Sequence, residues 1–242
     1  AGRSIARSSG WIRFPYYHHV FDDERRGFEI QLDYLARFGD FISLAEAVGR
    51  LRSGDPIEGR YFCITFDDGF RNCLTNAVPI LLDRKISAAF FLATDYIDRD
   101  PATDRDHLLD FFDHREVLME FLNWNDCRKM IEAGMEIGSH TLSHARLSML
   151  DEAGVRQELT ASKRLIETKL GRPCDHFCSP IGIPVRDFKP ERDPDLARQA
   201  GYSSMLTTER GAMRTGDSPY RMKRDHVLAN WGVHQLRYFL SP

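Results

Sequence analysis

Short β-rich runs alternate with helical patterns along this chain. That alternation restricts the fold to parallel strands joined by crossover helices, because antiparallel strands need only short hairpins between them. The strand candidates are residues 14–18, 41–42, 61–66, 88–94, 135–138, 176–179, 202–207 and 221–227. Between them apolar residues recur three or four apart: Phe28, Leu32 and Leu35 predict one buried helix face, and Val155, Leu159, Ile166 and Leu170 another. Ser43 with Glu46 reads as a capping box, and Asp193 before Pro194 as an N-cap followed by the first helical residue. Gly134, Gly171 and Gly201 fall where left-handed helix ends are expected. Seven or eight such units in 242 residues predict an α/β fold closed into a distorted (β/α) barrel, with an open doubly wound sheet as the alternative.

No repeat, low-complexity tract or Ser/Gly linker divides the chain, so residues 1–242 read as one domain. Residues 95–123 break the rhythm. They are charged and aromatic, longer than a strand-to-helix loop requires, and predict an insertion folded over the barrel rim. A content of 42% hydrophobic and 29% charged residues excludes intrinsic disorder for the bulk of the chain. The net charge of -3 gives no long-range attraction for nucleic acid, and no apolar run reaches the length of a membrane span. The first twenty residues, with Arg3, Arg7 and Arg13, lack a secretory pattern, which points to the cytoplasm, although Ala1 leaves a trimmed signal peptide open. Five cysteines without a CxxC pair predict free buried thiols rather than a disulfide framework.

Two motifs carry chemistry. Thr65-Phe66-Asp67-Asp68-Gly69 follows an apolar strand, and adjacent carboxylates in mid-strand would send one acid into the core at a large desolvation cost. At the strand end, with glycine following, both acids can turn into a common cleft, where a cation relieves their repulsion. His140 and His144, in Ser139-His140-Thr141-Leu142-Ser143-His144, follow a second strand and stand four residues apart, a spacing that lets two imidazoles converge on one ion. Two imidazoles and one carboxylate make a three-ligand zinc site with open positions. Both motifs, and the turn Ser179-Pro180-Ile181-Gly182, end strands, so a barrel collects them at its C-terminal face.

From Tyr17-His18-His19-Val20 to about Arg224 the sequence resembles the polysaccharide deacetylases of the nodulation-protein-B type, carbohydrate esterase family four. The resemblance rests on TFDDG at 65–69, Asn76 to Leu81, Ala89 to Leu92, Glu136 to Thr141 with His144, and Ala200-Gly201-Tyr202. It implies Asp68, His140 and His144 as ligands of a divalent metal, zinc first with cobalt or nickel as alternatives. It also implies Asp67 as the catalytic base and the Ile181 amide as the oxyanion donor. Where many relatives place an arginine that pairs with the base, this chain has Cys178, and Arg224 is the candidate replacement. The general acid is sought at His234, favoured on motif form, or at His226. His18, His19, Ser179, Pro180, Gly182 and Trp231 are candidate substrate-binding residues, with Trp124 a second possible platform, while core packing and rim polarity are the competing readings for His18, His19 and the tryptophans.

The implied activity is metal-dependent removal of an N-acyl group, acetyl first, from an amino sugar in a glycan or glycan precursor. Deformylation, cyclic-amide hydrolysis on the same barrel, and non-catalytic glycan binding are the rival expectations. The expected partner is a saccharide, with neither nucleic acid nor a membrane span, and the sequence assigns no oligomeric state.

Overall fold

The structure, a computed structural model, describes residues 8–240. In chain order its strands are β1 (Trp11–Arg13), β2 (Pro15–Tyr17), β3 (Asp40–Phe41), β4 (Arg60–Phe62), β5 (Ile64–Phe66), β6 (Ala88–Leu92), β7 (Glu136–Ser139), β8 (His176–Cys178), β9 (Ser204–Leu206) and β10 (Asp225–His226). The helices are α1 (Arg25–Leu35), α2 (Leu44–Ser53), α3 (Val78–Asp83), α4 (Arg105–Leu109), α5 (Trp124–Glu132), α6 (Glu152–Leu170), α7 (Asp193–Gln199) and α8 (Val233–Leu240).

Seven strands form one sheet in the order β10-β2-β5-β6-β7-β8-β9, with every neighbour parallel. Its outer strands are brought together by a parallel bridge from Leu206 to Met222, in the segment leading into β10. The sheet is therefore a curled, nearly closed barrel, as the alternation predicts. The candidate strand 61–66 splits at Cys63 into β4 and β5, which belong to different sheets. β4 joins β1 and β3 in a three-stranded parallel sheet, and the two sheets stay connected through the Cys63 amide, which donates to the Arg13 carbonyl at 2.9 Å. The candidate strand 221–227 shortens to the two residues of β10.

Strand alternation divides the core. Ala88, Phe90 and Leu92 of β6 pack in the large cluster beneath the helices, whereas Ala89 and Phe91 join Cys178, Leu206 and Met222 in a smaller cluster inside the curl. Leu44, Ala47, Val48 and Leu51 of α2 belong to that inner cluster and cover one end of it. α1 buries Phe28, Leu32 and Leu35, and α6 buries Val155, Leu159 and Ile166, both at helical spacing. Leu170, expected on the same stripe, is only half-buried at the helix end.

Local signals are met in part. Gly134, Gly171 and Gly201 all adopt positive φ. Ser43 accepts from the Glu46 amide, but the Glu46 carboxylate turns to Arg50 instead of completing the capping box. Asp193 is the first residue of α7 rather than its cap, because its carboxylate receives the Lys189 amide and the Arg192 guanidinium. All five cysteines are free and buried. Among the described residues no helix is long and apolar enough to cross a membrane.

Candidate active site

The TFDDG segment works through backbone geometry. Along β5 the side chains of Ile64 and Phe66 face the outer core, so alternation turns Thr65 and Asp67 into the curl. Asp68, next in line, would point away, but its φ of 74°, followed by 88° at Gly69, reverses the chain and sends both carboxylates to one side. A Cβ on Gly69 would meet Leu92 at 3.0 Å as well as carry that strained φ. The Asp67 amide donates to the Tyr17 carbonyl at 2.9 Å, anchoring the turn to the end of β2.

Asp67 is 2% exposed and is clamped by a wholly buried arginine. Arg224 donates to both of its oxygens at 2.7 Å, and its remaining donors reach the Thr207 carbonyl at 2.9 Å and the Cys178 sulfur at 2.9 Å. The guanidinium lies 4.2 Å over the Tyr16 ring. The small side chain of Cys178 leaves room for this arginine to arrive from the far end of the chain. Burial alone would push the Asp67 carboxyl up, but the charges of Arg224 and His140 outweigh it and hold the group well below the ordinary carboxylate range.

Asp68 faces the histidines. One of its oxygens lies 3.5 Å from His140 Nε2 and 3.4 Å from His144 Nε2, and this same buried oxygen has no hydrogen-bond partner. The other ring nitrogen of His140, Nδ1, lies 2.8 Å from the Cys178 carbonyl, which aims Nε2 into the cleft. The turn between the histidines is held by Glu158 of α6, whose carboxylate accepts from the Leu142 and Ser143 amides, each at 2.9 Å, and from the Ser143 hydroxyl. Burial pushes the His144 imidazole down to about 4, so it is neutral with a free lone pair at pH 7. The three donor atoms, Asp68 O and two Nε2, lie within 4.8 Å of one another. Bonds of about 2.1 Å to a tetrahedral ion would separate its ligands by roughly 3.4 Å, so the observed spacing fits a divalent metal. A second group, Asp67, His140 and Cys178, is equally close, but both Asp67 oxygens and the Cys178 sulfur already take hydrogen bonds from Arg224. It fits an ion less well.

Strained backbone concentrates here. Of the non-glycine residues with positive φ, Asp68, Thr141, His144 and Ile181 all lie at this cleft. Ile181, β-branched at φ 59°, has its carbonyl fixed by the Thr208 hydroxyl at 2.7 Å. A Cβ on Gly182 would meet the Thr208 amide nitrogen at 2.9 Å, so the turn passes too close to its neighbour for any larger residue.

A cavity of about 640 Å³ opens over these groups and includes Asp67, Asp68, His140, His144, His18 and His19 in its lining. Ile181 is the residue of the 179–182 turn that reaches it; Ser179 and Pro180 are buried, and Gly182 serves the turn. His226 stands behind the wall, stacked on Tyr16 at 4.9 Å and edge-on to His18 at 5.2 Å. Two expectations change. Trp231 packs behind His226 with ring centroids 6.3 Å apart rather than in the cavity wall. His234 is exposed on α8, whose buried face carries Leu236 and Leu240, and does not line the cavity. Trp124 is buried at the start of α5, as core packing predicts.

The sequence reading missed the wall formed by Phe21, Phe70, Val117 and Met119, and it missed Glu158 and Thr208. It placed Phe111 and Phe112 only generally, through the aromatic content of residues 95–123. Phe111 stacks on His144 with centroids 4.5 Å apart.

The polysaccharide deacetylase family model matches residues 55–204. The chain is 26% identical over 164 residues, 68% of its length, to the Bacillus subtilis protein YxkH, named for that family, and covers 50% of it. It is 26% identical over 140 residues, 57% of its length, to a chitooligosaccharide deacetylase of Bradyrhizobium, covering 53% of that protein. The chain thus spans about half the length of these curated relatives. In fold it matches IcaB of Ammonifex degensii, with a TM-score of 0.75 and 24% identity over 91% of this chain and 93% of that one. It also matches the deacetylase PplD of Streptococcus pyogenes, with a TM-score of 0.76 and 19% identity over 97% of this chain and all of the other.

Proposed function

We propose, from the premise that the chain belongs to the polysaccharide deacetylase family, that it is a metal-dependent hydrolase removing an N-acyl group from an amino sugar. One observation carries the reading: an unpartnered buried oxygen of Asp68 set between two imidazole nitrogens, beside a second carboxylate clamped by arginine. Asp68, His140 and His144 would hold the divalent ion. Zinc suits this nitrogen and oxygen set best, with cobalt and nickel as alternatives. Such an ion polarises an amide carbonyl and acidifies water.

The chain's own groups do the rest. Asp67 takes the proton of the attacking water, and the two bonds from Arg224 keep its carboxylate ionised and stop it rotating. The Ile181 amide donates to the developing oxyanion, and the next peptide of the turn is held by Thr208 through the Ile181 carbonyl. The amine cannot leave as an anion, so an imidazole must protonate it. His18, which lines the cavity, takes that role in place of His234, with His226 packed against its edge from behind the wall.

The test joins metal analysis of the purified protein to carboxylate and amine release from a panel of N-acylated amino sugars. The expected result is stoichiometric divalent metal with release that chelation abolishes and zinc restores. Glycan binding with metal present but no release from any member would favour the non-catalytic alternative. The hold of Glu158 on the ligand turn gives a further check. Glu158→Ala should weaken metal affinity about 10- to 100-fold, as loss of an orienting partner typically does, and equilibrium dialysis of a variant with unchanged circular dichroism measures it.

A further inference from the structure

We infer that the acyl group removed at this site is longer than acetyl: the chamber over Asp67 and Asp68 is built to take an alkyl chain, with the saccharide in an adjoining polar hollow. The inference rests on the hydrolase reading above and specifies its substrate class.

Size gives the first reason. A methyl group occupies about the space of one water molecule, roughly 30 Å³, so an acetyl group leaves most of a 640 Å³ chamber unfilled. Chemistry gives the second. Above the floor of aspartates and histidines the walls are mostly apolar, formed by Phe21, Phe70, Phe111, Phe112, Val117, Met119 and Ile181, and the hydroxyl of Thr208 is already spent on the Ile181 carbonyl. A sugar seated there would bury hydroxyl groups with few partners, at a cost that an alkyl chain does not incur.

The aromatic residues, moreover, are not free platforms for a sugar ring. Phe111 is stacked on His144 and meets Phe70, Tyr96, Phe112 and Phe121 edge to face. Phe112 is paired with Phe70 at 6.2 Å and with His114 at 5.6 Å. Rings committed in this way line a chamber instead of offering a stacking surface. Met119, unbranched and adaptable, suits a flexible chain.

The polar counterpart lies next door. A second cavity of about 460 Å³ shares Phe111, Phe112, His144 and Ile181 with the first and adds the charged and polar Asp110, Asp113, Ser143 and Arg146 beside Tyr96 and Met149. His144, one of the three proposed ligands, thus lies on the wall that the two cavities share, with the charged side chains on the far side of it. An amide held at that wall places its acyl chain on one side and its sugar hydroxyls on the other.

The experiment compares the zinc-loaded full chain on glucosamine carrying N-acetyl, N-butanoyl, N-hexanoyl or N-octanoyl groups, reading amine release as kcat/KM. Each added methylene should raise kcat/KM about fourfold until the chamber is filled. Val117→Trp, which narrows the chamber, should move the optimum to shorter chains. Octanoate should raise the thermal midpoint more than acetate at equal concentration, a readout that needs no turnover. If kcat/KM is highest on the acetyl substrate and falls with length, the inference is overturned and the hydrolase reading stands. If no member releases amine and octanoate binds no better than acetate, both fall.

Discussion

Asp67→Asn is expected to lower kcat by about 10²- to 10⁴-fold, the range for loss of a general base, while the protein keeps its divalent ion. The proposed ligands of that ion, Asp68, His140 and His144, are not altered by the substitution. Stability should drop as well, because the fully buried Arg224 then lacks its counter-charge, and breaking such a pair on one side costs about 3–5 kcal/mol. The double variant Asp67→Asn with Arg224→Met removes the stranded charge. It should recover much of the thermal midpoint and none of the turnover, which separates the chemical role of Asp67 from its structural one. The pair also fixes an acid limit. The folded-state carboxyl titrates below its unfolded value, so the stability it contributes is complete above about pH 4 and is lost only as pH falls through the depressed folded value. The double variant should lack that component. Metal analysis, steady-state kinetics and thermal unfolding at two pH values measure these effects, and turnover within tenfold of wild type in Asp67→Asn would remove Asp67 from the base role.

His140→Ala and Asp68→Ala should each reduce bound metal from stoichiometric to near background and abolish turnover with it. A three-ligand site that loses one donor keeps too few to hold its ion, and the remaining buried donors must be resolvated. His140 also anchors the cleft through the Cys178 carbonyl, so His140→Ala should loosen the turn after β8 as well. Elemental analysis after dialysis decides the matter. Stoichiometric zinc retained by either variant would transfer the ligand role to other residues.

Much of this arrangement could be read before any coordinates. The parallel topology followed from alternating patterns, and the two acids and two histidines stood out because each group sits where a strand gives way to a turn. What escaped depended on three-dimensional detail. The break at Cys63 is invisible in an apolar run that continues straight through it, and β1 was missed because three residues, one of them Arg13, carry no pattern. Arg13 is tolerated there because Asp225 meets it at 2.7 Å from 212 residues away. Motif form favoured His234, but it could not show that α8 turns its apolar side inward and leaves that residue exposed. Nothing in the sequence sets Glu158 apart from the other acids of α6, and only the approach of the 142–143 backbone reveals what it holds.

The guanidinium that orients Asp67 belongs to the run of chain that brings β9 and β10 together, well beyond the last residue of the family match. Closing the sheet and arming the carboxylate are therefore a single event. During synthesis the amino-terminal part emerges first, so both acids and both histidines are made before the guanidinium that orients Asp67. The clamp on Asp67 is complete only when the segment carrying Arg224 docks beside β2 and β9.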